Sequence, residues 1–422
     1  MSPRRALIIG GSISGLLAAN LLRNVGWEAV VFERSAETLS GRGAGISTQP
    51  QFRDILRRID IPFDDTMGIK VDRLICLDRM GNVVLKEPTL RIMSAWTRLY
   101  AALLERLPAE KYCLGKQFER LEQNADGVTA MFSDGTRVRG DLLVGADGLR
   151  SSVRERLLPQ VQPSYAGYVA WRAMIDESRI PEEIRTELFD LYTFCLPEGE
   201  MFLGYPVPGR NNETTIGRRA YNIVWYRPTE PATTLVDLCT DAAGRNHGTA
   251  IPPPLIRPEV IAGIKATARA LIAPQAAEIF DRAQPFFQPI FDLESPQMAL
   301  GRVALLGDAA FVARPHVGTG VTKAALDAAS LADGLRAAGD DVETGLARYE
   351  SEQLSFGRAL VGLSRQEGAY LSAQLKPREQ RSGEELHRDD AGVVHTHNSR
   401  TEKIQRLIAG RRAGSVPVRA AQ

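Results

Sequence analysis

Residues 6–34 read ALIIGGSISGLLAANLLRNVGWEAVVFER, and this stretch decides the fold. Residues 6–9 form a short unbroken apolar run ending at Gly10-Gly11, the pattern of a strand buried on both faces. From residue 14 to 25, Leu16, Leu17, Ala19, Leu21, Leu22 and Val25 recur at helical spacing, and Gly26 is a helix stop. Residues 29–32 are a second apolar strand, closed by Glu33 and Arg34. Strand, turn, helix and strand in succession make a βαβ unit. The turn is Gly10-Gly11-Ser12-Ile13-Ser14-Gly15. Gly10 allows the sharp bend, and Gly15 lets the helix approach the sheet. A helix start offers unpaired N–H groups and partial positive charge, which suit a pyrophosphate. Glu33 stands roughly 20 residues past the turn, where a carboxylate accepts hydrogen bonds from a ribose. Ser12 replaces the usual middle glycine; it is small enough to permit close approach. A plain strand–helix turn is the bland alternative.

The chain around this unit has 422 residues, which favours more than one domain. With 52 basic and 51 acidic residues its formal charge is +1, so no strong field invites a nucleic acid. Cys76, Cys113, Cys195 and Cys239 are scattered, with no paired spacing for zinc or a disulfide framework, and fit a reducing cytoplasm. No metal is expected. No apolar run reaches the roughly 18–20 residues of a membrane span, and the apolar run near the start is too short for a signal peptide.

Further along, RLICLDRMGNVVLK (73–86) predicts a hairpin turning at Met80-Gly81-Asn82. Residues 97–107 predict a helix, and 118–144 three strands separated by turn clusters at 125–127 and 133–136. Residues 165–226 are rich in aromatic and β-branched residues, as expected of a second sheet. Helices are expected at 233–243, 258–272 and 321–338. Beyond about residue 375 the chain turns polar and reads as a mobile segment or a partner-packed arm. Two more stretches follow strand ends. GADGLRSSVR (145–154) puts Asp147 at a sheet edge, where it either serves a ligand or, with Ser151, caps a helix. GDAA (307–310) follows the strand at 303–306 and runs on through Arg314-Pro315-His316-Val317-Gly318-Thr319-Gly320 into a helix. Asp308 could hold a polyol hydroxyl there, or cap a turn.

Taken in order, GGSISG with its ER, GADGLRSSVR, and GDAA with its proline and paired glycines resemble the single-component flavoprotein aromatic hydroxylases of the para-hydroxybenzoate hydroxylase type, over residues 4–370. YAGYVAWR (165–172), YPVPG (205–209) and GDAA…RPH are similar to the 2,6-dihydroxypyridine 3-hydroxylase branch. The resemblance implies an α/β fold: a Rossmann-like FAD-binding domain (1–72, 91–165 and 291–375), an inserted mixed β-sheet substrate domain (73–90 and 166–290), a helical C-terminal region, and a tail (376–422). It implies FAD as cofactor, with the pyrophosphate at Gly10, Ser12, Ile13, Ser14 and Gly15, the adenosine ribose at Glu33 beside Arg34, and further contacts from Gly45, Asp147 and Asp308. Pro315, Gly318 and Gly320 would pass beside the isoalloxazine. Two positions depart from the family: Phe311 follows GDAA where many relatives have histidine, and Trp96 replaces an arginine that holds phosphates. Arg98 is the nearby substitute.

The implied reaction passes hydride from NADH or NADPH to FAD. Reduced flavin then captures O2 as a hydroperoxide that attacks an electron-rich ring carbon. A base that removes the ring hydroxyl's proton favours the attack. Of the five histidines only His316 lies in an expected active-site loop, as that base or as a structural loop residue. Tyr205 is the other candidate for proton handling or substrate contact, unless it only packs the core. Arg172 and Gln49, the latter just past the glycine-rich 41–45, are candidate substrate contacts; Arg172 could equally pair within its sheet. Trp225 and Tyr226 read as core. The partners are a small aromatic substrate, O2 and NAD(P)H, with no nucleic acid or membrane, and a homodimer is compatible. A flavin halogenase is disfavoured because Trp27, Trp96, Trp171 and Trp225 make no WxWxIP motif. A flavin dehydrogenase without oxygen insertion and a non-catalytic flavin-binding module are the alternatives.

Overall fold

The computed structural model describes residues 4–39, 45–64, 66–339, 341–386 and 390–411. Its organising element is a six-stranded sheet. The strand Arg5–Ile9 lies inside it, with Glu28–Phe32 and then Tyr112–Cys113 on one side. Leu142–Gly145, Val303–Leu305 and Ala299–Leu300 follow on the other. Four of the five pairings are parallel, the one between Ala299–Leu300 and Val303–Leu305 being antiparallel, and strands 142–145 and 303–305 are buried throughout, which is why they are apolar without alternation. Sequence order reverses at Arg5–Ile9. A crevice therefore opens beyond the carboxyl ends of this strand and of Leu142–Gly145, the usual ligand position in such sheets. Gly10 has φ +105°, and a Cβ there would sit 2.5 Å from the Ala146 carbonyl oxygen, so only glycine lets the two turns meet. A Cβ on Gly15 would lie 1.9 Å from the Gly10 carbonyl oxygen, which fixes how closely helix Ile13–Asn24 approaches.

The second sheet has nine strands, in spatial order Phe311–Val312, Phe286–Glu294, Ser164–Asp176, Ala220–Pro228, Met201–Val207, Tyr192–Cys195, Ile69–Leu77, Val83–Ala95 and Gly45–Thr48. Side chains alternate between its faces. Trp171, Phe202, Ile223 and Trp225 point to a core closed by helices Pro258–Leu271 and Pro274–Arg282. Tyr168, Ala170, Leu203, Tyr205, Val224 and Tyr226 point the other way. Across the strands Ala170, Tyr226 and Met201 form one row, and Arg172, Val224, Leu203 and Phe194 the next. Strand Gly45–Thr48, inside the first expected FAD-binding segment, pairs in this second sheet with Val83–Ala95.

Three expectations are corrected. The stretch 118–144 holds four strands, not three: the expected last strand, 141–144, is Leu142–Gly145 of the parallel sheet, and Arg137–Gly140 before it is a further strand of a small antiparallel sheet. Asp141 makes the break, its carboxylate accepting from the Arg5 N–H at 2.7 Å. The helix expected at 233–243 covers only Thr234–Leu238, because the Asp241 carboxylate collects the N–H groups of Ala243 and Arg245 into a turn. Residues 390–411 of the polar tail form a helix, Asp390–Arg411, packed on helix Val342–Glu367 and on strand Val83–Ala95. Val393, Val394, His397 and Ile404 are its buried stripe, too sparse to show in a polar composition.

Candidate active site

Three strands of the parallel sheet end in an acidic residue: Glu33 after Glu28–Phe32, Asp147 after Leu142–Gly145 and Asp308 after Val303–Leu305. They border two joined cavities. The smaller, about 280 Å³, is lined by Gly10, Gly11, Ser12, Ser14, Glu33 and Trp96 among others. The larger, about 770 Å³, lies under the inner face of the nine-stranded sheet. Arg34, Asp147, Arg150 and Asp308 line both and mark the junction.

Each carboxylate is held differently. Glu33 accepts from the N–H groups of Gly11 (2.8 Å) and Ser35 (2.9 Å), which sets the turn against the second strand. Asp147 accepts from the Ser152 and Val153 N–H groups and the Ser151 hydroxyl, while Ser151 caps helix Ser152–Leu157. The capping alternative is thus realised at Asp147, and the residue also faces both cavities. Withdrawal from water pushes its carboxyl up, against the pull of these hydrogen bonds. Asp308 makes no hydrogen bond among the described residues and opens onto the junction. Desolvation pushes its carboxyl up too, Lys323 opposing and Asp327 adding to the rise.

The Asp308 loop is fixed from beneath. Gly307, at φ +64°, donates its N–H to Asp327 (3.0 Å), and its carbonyl accepts from Lys323 Nζ (2.9 Å). Lys323 and Asp327 pair at 2.7 Å on helix Gly320–Ala338 with side chains only 2% and 1% exposed. Removing one partner of such a pair strands the other charge. Lys323→Met is expected to cost about 3–5 kcal/mol, read as a lower thermal midpoint by calorimetry. Lys323→Met with Asp327→Leu should recover much of that loss; a midpoint as low as the single variant's would refute the clamp.

The larger cavity has an aromatic corner. His316, buried, shares a hydrogen bond of 2.8 Å between Nε2 and the Tyr168 hydroxyl and packs against Tyr226 with ring centroids 4.5 Å apart. Burial pushes the Tyr168 hydroxyl well up, so it stays protonated and neutral beside the imidazole. Behind Tyr168, Arg314 grips Asp292 through Nε and Nη2 (3.0 and 2.8 Å). The Tyr205 hydroxyl donates to the Gly45 carbonyl (3.3 Å), whose N–H donates to Asn222 Oδ1 (3.1 Å). Arg172 Nη1 donates to Gln288 Oε1 (3.2 Å), a pairing across neighbouring strands.

Of the expected residues, Gly10, Ser12, Ser14, Glu33, Arg34, Asp147 and Asp308 line the smaller cavity. Gly45, Arg172, Tyr205, Pro315, His316, Gly318 and Gly320 line the larger. Four do not fit. Gln49 lies outside both linings, because the chain turns there into helix Pro50–Arg58 and its carbonyl accepts from the N–H groups of Phe52 and Arg53. Arg98 points away from the crevice to the Thr66 hydroxyl (3.0 Å), while Trp96 takes the lining position and stacks on Tyr100. Ile13 and Gly15 are buried beneath the turn and line neither cavity. Residues 41–44 of the glycine-rich loop lie outside the described residues.

Other lining residues escaped sequence reading. Arg150 and Thr319 sit inside quoted motifs, and Tyr226 had been read as core. His397, from the C-terminal helix, also lines the larger cavity, and no local pattern signals it. The junction suits a flavin dinucleotide. Thr319 Oγ1 is buried against the larger cavity with no partner among the described residues. A Cβ on Gly148 or Gly320 would meet no atom, so these lining glycines leave space in the crevice. A free carboxylate, two arginines and the start of helix Ile13–Asn24 supply acceptors for hydroxyls and donors for phosphates.

The comparisons with known proteins agree with this geometry. Residues 165–292 match the family described as FAD binding domain-like, and 291–364 the FAD binding domain family. The chain is 32% identical over 364 residues to 2,6-dihydroxypyridine 3-monooxygenase of Paenarthrobacter nicotinovorans, covering 86% of this chain and 90% of that one. It is 26% identical over 373 residues to 6-hydroxynicotinate 3-monooxygenase of Pseudomonas fluorescens, covering 83% and 88%. The solved structure of 2,6-dihydroxypyridine-3-hydroxylase from Arthrobacter nicotinovorans superposes with a TM-score of 0.82 at 31% identity, over 88% of this chain and 93% of that one. The chain belongs to the FAD-dependent aromatic monooxygenases of the para-hydroxybenzoate hydroxylase-like type. It is an NAD(P)H- and FAD-dependent enzyme that hydroxylates an aromatic ring with O2. Among the described residues no helix is long and apolar enough to cross a membrane.

Proposed function

We propose that this enzyme hydroxylates a single electron-rich ring of the hydroxypyridine class in the larger cavity. The observation that carries the reading is a cavity combining apolar walls (Met93, Met201, Leu203, Val224, Ile290) with an imidazole fixed by Tyr168. The two relatives act on hydroxylated pyridines, which supports the class. Bound FAD supplies the electron relay and the activation of O2. Asp308, Glu33, Arg34, Arg150 and the first turn of helix Ile13–Asn24 would hold it. The residues of the cavity do the rest. The apolar walls exclude water from the reacting ring. His316 takes the ring hydroxyl's proton, which raises the electron density of the carbon to be attacked. Tyr168 fixes the imidazole's orientation. Arg172 faces the ring's outer edge, and Tyr205 holds the Gly45 peptide at the cavity wall.

Residues 1–72, 91–165 and 291–375 are read as one FAD-binding unit, and 73–90 with 166–290 as the substrate unit. The four free cysteines support a reducing, cytoplasmic setting, and a homodimer is the assembly to test by light scattering. The decisive experiment measures NADH and NADPH oxidation with a panel of hydroxypyridines and phenols, and product mass. Hydroxypyridines are expected to stimulate oxidation most and to gain one oxygen atom. Stimulation without a mass gain would leave a dehydrogenase or an uncoupled oxidase instead.

A further inference from the structure

The wall of the larger cavity is completed by the last described helix. Helix Asp390–Arg411 is tied to strand Val83–Ala95 by Arg91, whose Nη2 donates to the His397 carbonyl (2.9 Å). Asn398 secures the next position: its Nδ2 donates to Glu87 Oε2 (2.9 Å) and the Pro88 carbonyl (3.0 Å), and its Oδ1 accepts from the Thr89 hydroxyl (3.0 Å). Val393 and Val394 anchor the same helix in the apolar cluster that contains Tyr192 and Tyr205. The His397 ring is thereby set against Phe194 and Tyr192, at centroid distances of 5.0 and 5.2 Å, and lines the cavity.

His316 and His397 face one cavity from different sides. His316 packs on Tyr226, in strand Ala220–Pro228, and His397 on Phe194, in strand Tyr192–Cys195. Strand Met201–Val207 lies between, and Tyr226 and Phe194 stand one row apart on it, so the two contacts are two strand spacings across and two residues along, roughly 12 Å apart. One six-membered ring with a polar group at each end, plus a hydrogen bond of roughly 2.8 Å on either side, spans that gap. Much of the wall between them, Met201, Leu203 and Val224, is apolar and contacts the ring face without competing for its polar edges.

We propose that His397 is a specificity-determining residue, hydrogen-bonding the ring oxygen held away from His316. The cavity would thus select rings with two oxygen substituents on opposed sides over rings with one. This rests on the proposed hydroxypyridine chemistry. The test compares 2,5-dihydroxypyridine, whose two oxygens stand on opposed sides of the ring, with 2-hydroxypyridine, by KM and kcat and by anaerobic titration of the flavin absorbance without NAD(P)H. His397→Phe keeps an aromatic wall and removes the hydrogen bond. It should raise Kd and KM for the dihydroxy ring about tenfold or more, leave the monohydroxy ring within about threefold, and change kcat little. His397→Gln, which restores a hydrogen-bonding group, should recover most of the selectivity. If His397→Phe does not retain FAD, Asn398→Ala, which unpins the helix from the strand, should show the same selective loss. Wild-type selectivity in the folded Phe variant, or in Asn398→Ala where that stands in, overturns the proposal. So does a wild-type enzyme that hydroxylates both rings equally well, and the hydroxylase reading then stands. A wild type that binds and hydroxylates neither ring overturns both.

Discussion

Replacing Asp308 with alanine is expected to yield a folded enzyme that purifies with little yellow colour. The Asp308 carboxylate makes no hydrogen bond among the described residues, so its loss removes no internal contact seen there. It stands at the junction of the two cavities, where a dinucleotide would present hydroxyls. A hydrogen bond to a charged group contributes about 1.5–3 kcal/mol, so one or two of them correspond to roughly 10- to 10⁴-fold in FAD affinity. Flavin absorbance relative to protein, and titration of the apoprotein with FAD, read the effect directly. Asp308→Asn, which still accepts one hydrogen bond, should fall between. Wild-type flavin content in the alanine variant would show that the crevice holds its cofactor without this group. Because Gly307 is clamped by Lys323 and Asp327, circular dichroism and thermal midpoint should hardly move.

His316→Ala should slow hydroxylation by roughly 10²-fold or more and leave much of the NAD(P)H oxidation uncoupled from product. The imidazole is the basic group fixed at the aromatic corner, with Tyr168 at 2.8 Å and Tyr226 against its face. Without it the ring hydroxyl must lose its proton to solvent. The variant's rate should therefore climb as pH approaches the substrate's own pKa, whereas the wild type should already be active near neutrality. Tyr168→Phe keeps the ring and removes the orienting hydroxyl, and should give a smaller loss with the same change of pH profile. Tyr205→Phe is expected to act differently: its hydroxyl serves the Gly45 carbonyl, so the effect should fall on substrate affinity and coupling. Wild-type turnover, coupling and pH profile in His316→Ala would remove the residue from the mechanism.

The parallel sheet was legible because its strands are short apolar runs punctuated by glycine, and Gly10, Glu33, Asp147 and Asp308 follow strand ends that sequence alone identifies. The alternating strands of the second sheet were legible as a region, but which face each side chain takes depends on register. Tyr226 was read as core beside Trp225, although one residue's shift puts the two on opposite faces. Gln49 and Arg98 were chosen by nearness to motifs, and nearness along the chain does not fix direction: one sits at a helix start and the other turns to Thr66. His397 was invisible for a different reason. Its helix is polar overall and gains its place through a few contacts with a strand about 300 positions earlier, such as Asn398 to Glu87.

The sheet order also governs how the enzyme is made. Strand Leu142–Gly145 receives its outer neighbour, Val303–Leu305, only after all but the last strand of the nine-stranded sheet has been synthesised. At about 5–20 residues per second, the roughly 160 residues between them take about 8–30 s to leave the ribosome. Throughout that interval an apolar strand edge stands open to any other extended chain. The glycine turn near the start exists long before Asp308 and Thr319, so the growing chain lacks the far side of the crevice. Yield should therefore respond to translation speed and to chaperones that cover strand edges, and free FAD should improve it only after the final third of the chain has emerged.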